Sequence, residues 1–110
     1  MICDPLATVD AGSSLPLTLR FSAEGSSQTP TAVNYTLRDA DGAVINSRDE
    51  VPLSPTAEVM YLFLDGSDLP STGTTTVPIY LYVQFTYTSS IDGNPHSPVD
   101  KYTIYVKPIP

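Results

Sequence analysis

Between Val77 and Thr88 the chain alternates without a break. Val77, Ile79, Leu81, Val83, Phe85 and Tyr87 fall on one parity; Pro78, Tyr80, Tyr82, Gln84, Thr86 and Thr88 fall on the other. Side chains of an extended strand point to opposite faces in turn. The run therefore predicts one long strand with an apolar face and a polar-aromatic face. A matching alternation, Tyr102, Ile104 and Val106 against Lys101, Thr103, Tyr105 and Lys107, lies beyond a turn-rich loop over 89–98. Together the two runs predict a long C-terminal hairpin.

The same period recurs upstream. Leu15, Leu17, Leu19 and Phe21 alternate with Pro16, Thr18, Arg20 and Ser22, and Val33, Tyr35 and Leu37 with Asn34, Thr36 and Arg38. A short edge strand is expected over 6–9, turned by Asp10, Ala11 and Gly12, and a polar loop over 24–30. Asp39-Ala40-Asp41-Gly42 reads as a tight turn, because Asp and Gly tolerate the backbone angles a turn requires. A short strand is expected to leave it over 43–46. Residues 49–55 read as irregular, with Pro52 and Pro55 blocking a ladder. A strand over 58–64 and a long turn-rich connection over 65–74 complete the pass. No segment sustains apolar residues at helical spacing.

About seven short strands separated by turn signals predict an all-β fold, a single immunoglobulin-like β-sandwich of immunoglobulin or fibronectin-III type. The strands around Leu17 and Leu62 are expected in one sheet, those around Tyr35, Leu81 and Ile104 in the other. Residues 1–13 form an N-terminal segment carrying the edge strand, and 14–110 the sandwich domain. An eight-stranded barrel is the alternative architecture.

Composition narrows the chemistry. The 110 residues suffice for one core without metal or disulfide support. Five basic residues, Arg20, Arg38, Arg48, Lys101 and Lys107, stand against 12 acidic ones, giving a net charge of -7. That balance speaks against nucleic acid and against an anionic membrane surface as partners. Cys3 is the single cysteine, so no intramolecular disulfide can form, and the expectation is synthesis in a reducing compartment. The first residues lack the basic and apolar regions of a signal peptide.

The residues that usually carry catalysis have no partners in sequence. His96 is the single histidine, with only Asp92 and Asp100 near it as metal co-ligands, and it lies far from Cys3. The expectation is no enzyme, no cofactor and no metal. Asp10, Asp39, Asp41, Asp65 and Asp68 are expected to gather at one end as an acidic pole, a place for a basic protein more than for calcium, since no bidentate Glu follows Asp39. The stretch Val59-Met60-Tyr61-Leu62-Phe63-Leu64 is apolar on both parities, although a strand covered on one side needs only one. Met60, Leu62 and Phe63 therefore enter as interface candidates, with Met60 or Phe63 facing away from the core. A second chain or the N-terminal segment is expected to cover it. Tyr80, Tyr82 and Tyr105 form a second candidate interface, because aromatic hydroxyl side chains bury large area yet tolerate water.

Several stretches resemble small virion proteins of tailed bacteriophages. Ser14-Leu15-Pro16-Leu17-Thr18-Leu19-Arg20-Phe21 is similar to their "lTlrF" strand. Thr29-Pro30-Thr31-Ala32-Val33-Asn34-Tyr35-Thr36-Leu37-Arg38-Asp39-Ala40-Asp41-Gly42 is similar to "tPtsVtYtlrDpdG", and Tyr102-Thr103-Ile104-Tyr105-Val106 to their closing "YtIyV". The resemblance covers most of the chain after Ser14 and implies an immunoglobulin-like structural component of a capsid, neck or tail. Such a protein is made in the host cytoplasm and docks on other virion proteins in many copies. It carries no catalytic residues over. The alternative is a host-recognition or carbohydrate-binding module using Tyr80, Tyr82 and Asn94.

Overall fold

A computed structural model describes residues 2–4, 8–70 and 74–108. In chain order the strands are β1 (Ile2–Asp4), β2 (Thr8–Asp10), β3 (Leu15–Arg20), β4 (Ser22–Ala23), β5 (Ser26–Ser27), β6 (Ala32–Arg38), β7 (Val51–Pro52), β8 (Val59–Leu64), β9 (Val77–Thr88), β10 (Pro95–His96) and β11 (Val99–Lys107). One sheet has the order β1-β3-β8, all antiparallel. The other has the order β2-β11-β9-β6-β7, with β10 folded onto β9. In it β2 runs parallel to β11 while the remaining pairs are antiparallel, so the sheet is mixed. The chain is all-β.

Alternation decides what the sheets share. Leu15, Leu17 and Leu19 from β3 and Met60, Leu62 and Leu64 from β8 are buried with Val33, Tyr35 and Leu37 from β6. Ile79, Leu81, Val83 and Phe85 from β9 and Ile104 and Val106 from β11 join the same cluster. Phe21 and Phe85 meet with ring centroids 5.1 Å apart. Burial of apolar surface at about 25 cal/mol per Å² makes this core the main source of stability. The long hairpin forms as predicted, in a register running from Val99 opposite Gln84 to Val106 opposite Val77.

Four local expectations need correction. Residues 43–46 contribute only an isolated bridge between Val44 and Arg38, because Asn46 and Ser47 turn left-handed at φ 51° and 57° and end any extension. Pro52 does pair, within β7. The Leu53 N–H bonds to the Val33 carbonyl, so along an alternating strand the missing N–H of Pro52 falls on the outer side, where it costs no ladder bond. The polar loops hide two further pairings, the β4-β5 ribbon and β10. At the N-terminus the edge strand is Thr8–Asp10, and a second strand, Ile2–Asp4, lines β3 on the other sheet. Leu6 and Ala7 lie outside the described residues. Between β8 and β9, Gly66–Asp68 make one turn of 3-10 helix.

Candidate functional site

The polar-aromatic face of the larger sheet is built in rows by the strand registers. Asn34, Gln84 and Val99 form one row, Thr36, Tyr82 and Lys101 the next, and Arg38, Tyr80 and Thr103 the third. Tyr80 and Tyr82 are half-buried and Tyr105 is exposed. The Lys101 Nζ sits 4.1 Å from the centre of the Tyr80 ring, which shields that ring. Thr36, expected on the open surface, is buried: the loop before β7 folds over it, and the Glu50 N–H donates to its Oγ1 at 2.9 Å.

That loop walls a depression of about 460 Å³ whose lining includes Asn34, Arg38, Glu50, Tyr82 and Gln84. Among its polar side chains, Asn34, Gln84 and Arg38 are tied up by hydrogen bonds. The Asn34 amide donates to Gln84 Oε1 at 3.3 Å, and Arg38 donates to the Gly42 carbonyl at 2.8 Å.

The second candidate surface is β8, and here the structure divides the expected residues. Met60 and Leu62, expected at an interface, are buried at 8% and 4% exposure and belong to the core. Phe63 faces out at 61% exposure, joined by Tyr61 at 73%, which was not singled out. The cause is register: Met60, Leu62 and Leu64 lie opposite Leu19, Leu17 and Leu15, so the even parity shares the inward face of β3. Among the described residues the N-terminal segment does not cover the outward face either, since β1 extends the sheet edgewise beyond β3.

Backbone parity shows which groups remain. The Phe21 N–H bonds to the Glu58 carbonyl, so backbone groups of even-numbered residues along β8 point at β3. Those of Val59, Tyr61 and Phe63 point outward, and no strand lies beyond them among the described residues. Antiparallel ladders alternate in this way at every residue.

Neither a protein-family model, nor a curated protein, nor a solved structure matches the chain.

The acidic pole takes a different form from the one expected. Asp68 is fully buried and accepts hydrogen bonds from Asn46 Nδ2 at 2.8 Å, Arg48 Nε at 2.9 Å and the Asp65 N–H at 2.9 Å. Burial on its own raises a carboxyl's pKa. The bonds from Asn46, Arg48 and Asp65, with the Arg48 charge, outweigh it and hold Asp68 below its ordinary value. Asp39 instead caps its own turn, accepting from the Asp41 and Ala43 N–H groups at 2.9 Å. His96 Nε2 lies 3.0 Å from Asp92 Oδ2. The Asn94 N–H, and His96 after it, keep Asp92 below the usual carboxylate value. Among the described residues no three His, Cys, Asp or Glu side chains are grouped to hold a metal ion.

Proposed function

We propose that the chain is an immunoglobulin-like β-sandwich serving as a structural, interaction component of a tailed-bacteriophage particle. It docks in many copies on a symmetric assembly as a capsid decoration, neck or tail protein, with other virion proteins as partners. The observation that carries the docking role is the β8 edge, where Tyr61 and Phe63 stand exposed on a strand with open backbone groups. The immunoglobulin-like reading is supported by the strand order, with Greek-key neighbours β3-β8 facing β11-β9-β6. The virion setting rests on the resemblance of the strand and turn motifs.

Quantitative mass spectrometry of purified particles tests this reading. The chain is expected at a copy number that is a multiple of a particle symmetry, and Phe63→Lys is expected to lower that number without unfolding the domain. A chain absent from the particles overturns the proposal.

A second reading, a carbohydrate-binding module, rests on the depression beside Tyr82. Selective binding of the isolated domain on a glycan array favours it over docking alone.

A further inference from the structure

The outward edges of the two sheets are protected unequally. On β11, β2 covers Tyr105, Val106 and Lys107, and the stretch left open carries Asp100 and Lys101. Charges of this kind discourage another strand from adding to an edge. On β8 there is no charge from Val59 to Leu64, no proline and no covering strand among the described residues. The outward N–H and C=O groups of Val59, Tyr61 and Phe63 are satisfied fully within a protein contact only by an extended backbone laid alongside them.

Two further features describe that backbone. Beside the edge lies a cleft of about 260 Å³, bounded by Leu53, Pro55, Ala57, Val59, Met60 and Tyr61. An added strand turns alternate side chains toward this cleft and toward the exposed rings of Tyr61 and Phe63, so both of its faces are apolar in the middle. At its ends it meets Glu58 and Asp65, both exposed, on a molecule of net charge -7.

A second copy of the chain fits this poorly. Antiparallel self-pairing about Tyr61 sets Val59 against Phe63 of the second copy. It also sets Glu58 against Leu64 and Asp65 against Ala57 of the second copy, so neither carboxylate meets a cation, and two molecules of net charge -7 are brought together.

We propose that β8 is completed by a strand from another protein, an extended segment with an apolar middle and a lysine or arginine at each end. This names the partner chemistry of the docking surface proposed above and rests on that reading. The added strand continues the β1-β3-β8 sheet, and its basic ends pair with Glu58 and Asp65.

The test uses the full chain and a short peptide with valine and leucine through its middle and lysine at both ends, and reads amide hydrogen exchange by NMR. Exchange at the N–H groups of Val59, Tyr61 and Phe63 is expected to slow about tenfold with the peptide at about ten times its Kd. The same peptide with glutamate at its ends is expected to bind at least about tenfold more weakly, equivalent to about 1.4 kcal/mol. Tyr61→Pro removes one outward N–H at a position where an edge strand accepts proline, and is expected to abolish the effect, whereas Tyr61→Ala retains it.

No slowing at these residues, equal binding of the glutamate-ended peptide, or full binding to Tyr61→Pro overturns the proposal. So does exchange that slows with protein concentration alone, which puts a second copy on the edge. The two proposals fail separately. A chain absent from particles but protected by the lysine-ended peptide refutes the virion role alone, and a chain present on particles but unprotected refutes strand addition alone.

Discussion

Asp68 stays charged inside the fold because three donors converge on it, and one of them sits on a left-handed residue. Asn46 reaches the carboxylate from a left-handed residue, and Arg48 follows two positions later. Removing the acceptor strands all three donors, so Asp68→Ala is expected to cost about 2–3 kcal/mol. The lower part of that range applies because Arg48 remains 34% exposed and recovers some water. Urea unfolding checks this, as a lowered midpoint at unchanged slope. Because the folded-state pKa is depressed, the contribution is complete above the unfolded value and disappears as pH falls through the folded one. The stability difference between the parent and Asp68→Asn is therefore expected to be flat from neutrality to about pH 4 and to shrink below it. The sequence placed Asp68 on a surface pole because it displays residue types, whereas the partners of this carboxylate stand 20 and 22 positions away.

Elements whose two faces differ in polarity were legible in advance. β9 and β11 separate apolar from polar residues by parity, so extent, partner and buried face all follow from the alternation. β8 was legible as a strand but not as to its faces, since Met60 and Phe63 satisfy a hydrophobic pattern equally well and only the register with β3 separates them. β7 and β10 were illegible because strands of two residues hold no period, and their pairing is set by the longer strands beside them. The 3-10 turn after β8 depends on a close approach of the same non-local kind. A Cβ on Gly66 would come within 2.9 Å of the Gly12 carbonyl oxygen, in a turn whose own N–H bonds to the Leu69 carbonyl at 2.9 Å. Both obstacles are backbone, so Gly66→Ala is expected to cost about 1–3 kcal/mol through a forced shift of the two turns. Thermal unfolding measures it, and an unchanged Tm shows that the turns separate freely.

At the scale of the molecule, the same face-by-face economy leaves opposite surfaces for different contacts. The outer face of β3 and β8 presents Tyr61 and Phe63, while the outer face of β6, β9 and β11 presents the walled depression over Tyr82. Docking through the first leaves the second open to solvent. The earliest part of the chain bears on both sheets at once, β1 lying along β3 and β2 along β11. These two short strands thus act as a double selvedge, binding off two fabrics that would otherwise unravel outward. Deleting residues 1–10 frees an edge on each sheet, and the two edges are unlike. Molecules joined through unlike edges each keep one edge free, so the contact propagates unless the rotation closes a ring. The trimmed protein is expected to grow into open-ended filaments, seen as rising light scattering and as fibres by electron microscopy, while the full chain stays dispersed. A trimmed chain that remains monomeric at high concentration would mean that the charges on the uncovered strands are enough by themselves to keep each molecule solitary.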